Sequence, residues 1–292
     1  MELRQLRYII AVADHRSFTK AAAACFVVQS ALSHQIKTVE QELGEALFAR
    51  TSRRVELTQA GEVFLPAARE AVAAADRAME SIAAQRGHIT GTLALGVNAT
   101  LTAVDVPVLL RSFRSRHPGV SVRLVAGNSG ELMERTQNGE LDVTFLALAT
   151  PQAPVGLEHQ MLVSEPLVVT LWDGHPLADR ASLRVEDLKE EIFVDFPPHT
   201  TGRAQADAAF AKVSTPRSVA FEISDIALLE QLIEQELAIA LIAKSVATRL
   251  KNLKAVPLVD APSRNQYIAW GTFNPKPATF AFVTEAVRIT RS

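Results

Sequence analysis

The sequence predicts an α/β protein in which one long helix joins a small N-terminal domain, rich in helix, to a larger C-terminal domain. Three observations lead to this fold class. Residues 3–57 read as three short helices followed by a basic hairpin, and residues 58–86 carry apolar side chains at helical spacing. From residue 91 onward, strand-like apolar runs alternate with helical ones, which is typical of α/β domains. A chain of 292 residues is long enough for two or three domains.

The first two helices predict a small packed core at the N-terminus. Residues 3–14 carry apolar side chains at helical spacing. Ser17 is placed to cap the second helix, and the alanines at 21–24 allow another helix to approach closely. We expect Phe26 and Val27, in the turn that follows, to fill the core from below.

The third helix predicts a buried face and a polar face. Its apolar residues recur at helical spacing and should point inward: Leu32, Ile36, Val39 and Leu43. The opposite face carries amides and hydroxyls with few charges: Gln29, Ser30, Ser33, His34 and Lys37. Such groups suit the edges of DNA bases. A polar helix face is also what an ordinary solvated helix shows, so this feature alone leaves both interpretations open.

The hairpin after the third helix favours the DNA-binding interpretation. Leu47 and Phe48 begin one strand, and Val55 and Leu57 alternate in the next. The loop between them offers the donors that phosphates attract, from Arg50, Thr51, Ser52, Arg53 and Arg54. A helix pair followed by such a hairpin can place one helix in a major groove and the hairpin on the backbone.

The N-terminal region resembles the winged helix-turn-helix of LysR-type transcriptional regulators. The runs that carry the resemblance are LRQLRYIIAVADHRSFTKAA, QSALSHQIKTVEQELGEALFAR and LTQAGEVFL. The resemblance implies a DNA-binding domain at 1–58 and, as a partner, double-stranded DNA with an interrupted inverted repeat. One position departs from the family: Val28 stands where Ser or Thr is frequent, and valine cannot cap the helix. We expect Ser30 or a shifted helix start to compensate.

Residues 59–86 predict a long linker helix that pairs with its copy. Small and apolar residues recur at spacings of three and four, at Phe64, Ala67 or Ala68, Ala71, Ala74 or Ala75, Ala78 and Ile82. The alternative is that this stripe packs on its own N-terminal domain. The resemblance to the family's linker helix favours pairing and implies a homodimer, assembled further into a homotetramer, with RNA polymerase as a candidate partner.

The C-terminal half predicts sheets that are largely parallel, with helices on both faces. Strand-like runs lie at 93–97, 120–125, 141–148, 167–172, 192–196, 218–223, 238–242 and 266–273. Helical runs lie between most of them.

This half resembles the effector domain of the same family, which has the fold of periplasmic solute-binding proteins. The closest runs are ELMERTQNGELDVTF and HPLA. The resemblance implies effector subdomain I at 87–163 and 267–292, subdomain II at 164–266, and crossings of the chain near Ser164 and Gln266. Ala238 stands where glycine is usual and Ala243 where proline is usual, so the behaviour of the hinge is left open.

Four loops at predicted carboxyl ends of strands suit a small ligand, because helix N-termini offer backbone N–H groups to anions there. They are 98–102, 127–130, 197–203 and 224–225. The candidate effector-binding residues are Thr100, Asn128, Ser129, Thr200, Thr201 and Arg203, with His199 as a second candidate partner for a carboxylate. Ser129 could equally be an ordinary helix cap and Arg203 a surface charge. We expect a small anionic effector, an organic acid or an amino-acid-like metabolite.

Several functional classes lack their sequence patterns. The chain has no G-x-S-x-G elbow, no dinucleotide fingerprint and no P-loop, and its 7 histidines are scattered. We therefore expect no catalytic residue, no metal and no cofactor. The single cysteine, Cys25, excludes an internal disulfide and suits the core better than a redox role. No apolar segment suits export or a membrane span, which predicts a cytoplasmic protein without a membrane partner.

The balance of charge is compatible with DNA binding that depends on a few placed contacts. The net charge is −2, and the N-terminal sixty residues carry only a small basic excess. The alternative function is a ligand-binding module without regulatory DNA binding.

Overall fold

The structure is a computed structural model that describes residues 1–50, 55–85, 88–198, 200–272 and 275–290. It divides the chain into two compact units, Met1–Thr90 and Gly91–Ser292, and each is considered by itself. None of the helices in the described part of the chain combines the length and the apolar character that a bilayer crossing requires.

The described part of the first unit contains four helices and one hairpin. They are α1 (Leu3–His15), α2 (Phe18–Ala24), α3 (Gln29–Leu43), β1 (Phe48–Arg50), β2 (Val55–Leu57) and α4 (Gln59–Gln85). The two strands pair antiparallel, with Phe48 opposite Leu57. The hairpin therefore follows the third helix directly, in the order that the sequence predicts.

Most of the local predictions for this unit are confirmed. The Ser17 hydroxyl accepts a hydrogen bond from the Lys20 backbone N–H at 3.3 Å and caps α2. Leu32, Ile36 and Val39 are completely buried on the inner face of α3. Gly44 ends α3 with φ +73°, a conformation that glycine adopts without strain.

Two side chains contradict the prediction of a larger core. Phe26 is 96% exposed, because its backbone takes a left-handed φ of 56° that turns the side chain outward, while Val27 packs against the core. Leu43 is 42% exposed, since it is the last residue of α3 and no further turn covers it. The core of this small unit is therefore complete without either side chain.

The small residues of helix α4 lie on two sides of the helix, one facing the core of the first unit and one facing solvent. Ala68 is buried and Ala75 is half-buried. Phe64 is partly buried against the core of the first unit, and its place in a pairing seam stays a prediction. Ion pairs of Arg7 with Asp76 and of Arg69 with Asp14 hold α4 on α1. The exposed side carries the charged Glu70 and a row of small or apolar residues called the α4 stripe: Val63, Ala67, Ala71, Ala74, Ala78 and Ile82.

The second unit is a mixed α/β domain. Its elements are β3 (Gly91–Asn98), α5 (Val106–Arg116), β4 (Val120–Gly127), α6 (Ser129–Gln137), β5 (Val143–Ala149), β6 (Leu157–Trp172), a 3₁₀ turn (Val185–Leu188), β7 (Ile192–Asp195), α7 (Thr201–Lys212), β8 (Ser218–Glu222), α8 (Ile226–Glu234), β9 (Ala240–Ala243), α9 (Lys244–Ala247), β10 (Leu253–Pro257), β11 (Ser263–Gly271) and α10 (Pro277–Thr290). The strand order of the main sheet is β10-β6-β11-β5-β3-β4, with β9 also paired to β6, and β7 and β8 form a second sheet.

The prediction of largely parallel sheets was wrong. Strand β3 runs parallel to β4 and β5, and β7 runs parallel to β8. Strand β11 is antiparallel to β5 and β6, and β6 is antiparallel to β9 and β10. Two strands were also missed in whole or in part: β10 has no apolar alternation, and the first half of β6, residues 157–166, mixes polar and apolar residues without a regular alternation. Both exist because of their partners rather than their own pattern.

Strands β6 and β11 cross the second unit together. They pair antiparallel from Leu157 opposite Gly271 to Pro166 opposite Ser263, and Ser164 lies opposite Asn265. Beyond Pro166, β6 continues into its pairings with β9 and β10. The finer division of this unit into subdomains at 87–163 with 267–292 and at 164–266 stays a prediction.

Glu285 ties α10 to α5 and gives the fold a pH-dependent contribution. Its buried carboxylate accepts hydrogen bonds from Ser112, Arg116 and Arg288. Hydrogen bonds from Arg288 and Ser112 lower the pKa of Glu285 from 4.5 to about 2. Because the folded pKa is depressed, this stabilisation is fully present above pH 4.5 and is lost as the pH falls towards about 2.

We expect Glu285→Gln to remove this pH-dependent part of the stability. We would measure the free energy of unfolding of the wild type and of Glu285→Gln by denaturant titration from neutral pH down to acid pH. The two proteins should differ by a large amount near neutral pH. The difference should shrink as the pH approaches 2. Glu134→Gln, at an exposed position on α6, is the matched control and should give a small difference at every pH. A Glu285→Gln deficit that stays constant with pH would contradict the assignment.

Candidate nucleic-acid interface and ligand-binding cleft

The polar face of α3 is open to solvent. Gln29, Ser30, His34 and Lys37 are exposed and Ser33 is half-buried, on the side of α3 opposite its buried residues. The buried side packs on the core of the first unit, which leaves one amide- and hydroxyl-bearing surface free along the helix. All five predicted base-contacting side chains therefore lie on one helix, at positions from which they could reach a groove together.

The start of α3 is not capped by a side chain. Val28 is the N-cap residue, is 68% exposed, and accepts backbone hydrogen bonds from Ala31 and Leu32 at 3.1 and 3.2 Å. Ser30 lies inside the helix, which begins at Gln29, so neither expected compensation occurs. The first turn consequently keeps N–H groups that a phosphate oxygen could accept from.

The predicted phosphate-contacting residues fall mostly outside the described residues. Arg53 and Arg54 lie in 51–54, which the structure does not describe, and Arg50 is described only by its backbone in β1. The pairing of Arg50 with Val55 shows that the arginine-bearing segment connects two antiparallel strands.

A cleft of about 470 Å³ lies in the second unit and brings the four predicted loops together. Of the predicted effector-binding residues, Thr100, Asn128, Ser129, Thr200 and Thr201 line it. They come from the ends of β3 and β4 and from the N-terminus of α7. His199 lies outside the described residues.

Arg203 is not among the described residues that line the cleft. Its Nε lies 2.9 Å from Asp207 Oδ2, and its Nη1 lies 2.9 Å from Glu222 Oε1. The hydrogen bond to Glu222 is the largest influence on the pKa of Arg203 and raises it. The structure therefore does not bring Arg203 into the lining of the cleft, because its guanidinium pairs with Asp207 and Glu222.

Ser129 has no donor left to offer. Its hydroxyl donates to the Ala147 carbonyl and accepts from the Ala147 N–H, both at 2.9 Å, and also accepts from the Asn98 amide. The residue is buried and joins α6 to β5. The cap of α6 is instead Asn128, whose Oδ1 accepts from the Glu131 N–H at 2.9 Å. Ser129 thus shapes the cleft floor rather than presenting a hydroxyl to it.

Arg264 is a lining residue that the sequence reasoning missed. Its guanidinium donates to the Thr100 hydroxyl at 2.8 Å, to the Thr100 carbonyl at 2.9 Å and to Glu165 Oε1 at 3.0 Å. Burial lowers the pKa of Arg264, and Glu165 opposes that shift. Burial alone would raise the pKa of Glu165, but hydrogen bonds from Ser245 and the charge of Arg264 bring it below the usual value. The signal in the sequence was a polar run, Ser263 to Gln266, immediately before the apolar residues of the same strand.

The N-terminus of α7 forms another wall of the cleft. The Thr200 hydroxyl donates to the Pro197 carbonyl at 2.8 Å and makes no cap, so the first turn of α7 has no side-chain acceptor. One turn further along lies Gln205, which was also missed. Its Nε2 donates to the Ser263 carbonyl at 2.7 Å, while its Oε1 has no hydrogen-bond partner among the described residues. Gln205 follows Thr201 by four residues, and in a helix this spacing places both side chains on one face, so the sequence could have indicated it.

Within the described residues, no group of three His, Cys, Asp or Glu side chains is arranged to hold a metal ion. Cys25 is half-buried against the core of the first unit, and burial raises the pKa of its thiol. A raised thiol pKa makes a cysteine less reactive at neutral pH.

Comparisons with known proteins agree with this arrangement. A family model described as the LysR substrate binding domain matches residues 86–289, and one described as the bacterial regulatory helix-turn-helix protein, lysR family, matches residues 3–62. The HTH-type transcriptional regulator BudR of Raoultella terrigena is 32% identical over 278 residues, which cover 94% of this chain and 96% of BudR.

Solved structures share the architecture. Full-length OxyR from Pseudomonas aeruginosa matches with a TM-score of 0.81, covers 99% of this chain and 95% of its own, and at 24% identity shows a likeness of fold alone. CbnR, solved as a full-length protein in complex with its target DNA, matches with a TM-score of 0.66 at 25% identity, over 99% of both chains. The chain belongs to the LysR family and is a DNA-binding transcriptional regulator with a C-terminal substrate-binding domain.

Proposed function

We propose that this protein is a ligand-responsive transcription factor whose DNA binding is controlled by a small anionic metabolite held in the cleft. The observation that carries the proposal is the meeting of four separate loops around one cleft of about 470 Å³, in a chain that also exposes the polar face of α3. A cavity of this size with a few convergent polar groups suits a small metabolite.

The DNA contacts are assigned as follows. Gln29, Ser30, Ser33 and His34 face bases in the major groove, with Lys37 beside them, and the arginines of the hairpin, Arg50, Arg53 and Arg54, hold phosphates. The target is double-stranded DNA with an interrupted inverted repeat, because two copies related by a two-fold axis read two half-sites. CbnR, which shares the fold, has been solved on its target DNA. The protein then acts where the DNA is, in the bacterial cytoplasm.

Assembly is assigned to the α4 stripe. The stripe presents six small or apolar side chains on the side of α4 that faces away from its own core, which suits close pairing with a second copy. Contacts between second units would then join two dimers into a homotetramer. RNA polymerase is a further candidate partner of the assembly on DNA.

Regulation is assigned to closure of the cleft between the two subdomains that β6 and β11 connect. The segment that follows Thr100 is held by groups from elsewhere in the unit. Gln266 Oε1 accepts from the Thr102 and Ala103 N–H groups at 2.9 and 3.0 Å, and Arg249 donates to the Thr102 carbonyl at 3.0 Å. A ligand that touches Thr100 therefore acts on a segment that is tied to β11 through Gln266 and to α9 through the hydrogen bond between the Thr102 and Ser245 hydroxyls. It shifts the unit only as far as it prefers the closed form.

Footprinting of the full chain on its operator, with and without a bound metabolite, tests this function. We expect the footprint to change with saturating ligand. We also expect Thr201→Ala combined with Thr100→Ala to raise the dissociation constant measured by calorimetry by about tenfold or more, because the Thr201 hydroxyl leaves the cleft and the Thr100 hydroxyl no longer links Asn98 to Arg264 at the cleft wall. Thr284→Ala, at an exposed position on α10, is the matched control and should leave the affinity unchanged.

Two results would count against the proposal in different ways. Unchanged ligand affinity in the double variant would show that the cleft is not the effector site. Ligand binding without any specific DNA binding would favour the alternative, a ligand-binding module without regulatory DNA binding.

A further inference from the structure

Among the described residues, four helices begin beside the cleft, and only α7 has a first turn without a side-chain acceptor. Helix α9 follows the lining residue Ala243, and the Ser245 N–H in its first turn donates to Glu165 Oε2 at 2.8 Å. Asn128 Oδ1 closes the first turn of α6, and Asp225 Oδ1 accepts from the Ala227 N–H at 2.8 Å at the start of α8. The Thr200 hydroxyl, by contrast, donates to the Pro197 carbonyl and leaves the first turn of α7 open. Gly202, in that turn, has no side chain to screen the backbone. The cleft therefore offers an anion one open helix N-terminus.

The charged side chains of the described lining residues leave no counter-charge for a second ionic group. Arg264 is the single charged side chain among the described residues that line it, and its guanidinium is paired with the buried Glu165. That carboxylate in turn accepts from the Ser245 N–H and the Gln266 amide. An additional carboxylate, or an ammonium group, would be desolvated without a partner. The occupant that fits carries one negative charge.

Gln205 presents a hydrogen-bond acceptor that a ligand with a donor group could satisfy. The residue is 5% exposed and lies one turn after Thr201 on the same side of α7. Its amide orientation is settled by the bond from Nε2 to the Ser263 carbonyl, because the reverse orientation would bring two oxygens together. Its Oε1 is therefore a buried acceptor without a partner among the described residues. Such an atom is costly to leave unpaired.

The remaining wall is apolar. Leu167, Phe196, Leu241 and Val246 line the cleft, from β6, the end of β7, β9 and α9. These side chains suit an aliphatic or aromatic body.

We propose that the effector is a small 2-hydroxy monocarboxylate with an apolar body. This inference rests on the proposed function of the cleft. The carboxylate binds the first turn of α7, the 2-hydroxyl donates to Gln205 Oε1, and the body packs on Leu167 and Val246. The 2-hydroxyl then satisfies the buried acceptor Oε1, which favours a hydroxy acid over an analogue without that donor.

Calorimetry on the full chain with two matched sets of small acids tests the proposed chemical class of the effector. One set shares an isopropyl body and varies position 2 of the acid: 2-hydroxy-3-methylbutanoate, 3-methylbutanoate, valine and isopropylmalonate. A second set places the same four head groups on a phenyl body: mandelate, phenylacetate, phenylglycine and phenylmalonate. We expect the hydroxy acid to bind about tenfold or more tightly than the three other members of at least one set.

Gln205→Met should abolish this preference. The dissociation constants of the hydroxy acid and its deoxy analogue should become about equal, because the acceptor is gone. Gln231→Met, at an exposed glutamine on α8, is the matched control and should keep the wild-type ratio. If Gln205→Met does not fold, the wild-type series alone decides.

Equal binding of hydroxy and deoxy acids to the wild type, or tighter binding of an amino acid or a dicarboxylate, would overturn the proposal. So would failure of all eight probes to bind. If the footprint then responded to some other metabolite, the ligand class would be wrong and the regulatory function would stand. If the hydroxy acid bound and kept its full affinity in Thr201→Ala and Gln205→Met, the cleft itself would be the wrong site.

Discussion

Replacing Ala71 by glutamate is expected to convert the protein to a monomer at micromolar concentration and to abolish specific DNA binding. Ala71 is exposed in the middle of the α4 stripe, where pairing with a second copy would bury it. A two-fold axis brings both new carboxylates into the same tight interface, and an unpaired buried charge costs about 3–5 kcal/mol. DNA binding falls with the dimer because each monomer reads one half-site.

Sedimentation and gel-shift measurements on the same preparations check this result. Ala74→Glu, also in the α4 stripe, should behave like Ala71→Glu. Ala208→Glu, at an exposed alanine on α7 of the second unit, adds the same charge to a helix surface and should change neither measurement. The pairing role of the α4 stripe would be refuted by a dimeric Ala71→Glu protein that binds DNA as the wild type does.

The second large effect is expected at the start of α3. Gln29→Ala should relax the sequence preference at one base position in each half-site, because an amide can make paired hydrogen bonds to a base edge in the major groove. The loss is about 1–3 kcal/mol of discrimination for each contact. Gln29 is exposed in the first turn of α3, so its removal should leave the fold intact. Competition binding with operators changed at single positions measures the effect.

Gln41 provides the comparison on the same helix. It is exposed near the C-terminal end of α3, so Gln41→Ala tests the loss of an amide away from the proposed base contacts. We expect wild-type sequence preference in that variant. A uniform loss of affinity for all sequences in Gln29→Ala would instead make Gln29 a backbone contact.

Periodicity explains which predictions about the elements were confirmed. The buried face of α3 follows from apolar residues at helical spacing, and the strands β3, β5 and β9 follow from continuous apolar runs. The first half of β6 has no such pattern, since residues such as Glu158 and Glu165 interrupt it. It is a strand because β11 pairs with it along residues 157–166. Pairing across the sheet is a property of two segments, and neither sequence reveals it alone.

The candidate site likewise has features that the sequence could predict and features that it could not. The order of strands and loops was enough to place Thr100, Asn128, Ser129, Thr200 and Thr201 around one cleft, because loops at the carboxyl ends of neighbouring strands meet at one edge. It could not show which of their hydroxyls are already used. Ser129 is taken by Ala147, 18 residues away, and Arg203 by Glu222, 19 residues away.

The sequence by itself determined the order of the two units, the buried and polar faces of α3 and the loops that surround the cleft, because these depend on local spacing and on element order. Only the tertiary structure decided that Arg264 and Gln205 line the cleft and that Glu165 forms an ion pair with Arg264. It also decided that Gln205 Oε1 has no hydrogen-bond partner among the described residues. The hydrogen-bond partners of Arg264 Nε and Gln205 Nε2 lie 99 and 58 residues away in the chain. Hydrogen bonding and burial depend on distances in space, and sequence separations of that size leave those distances undetermined.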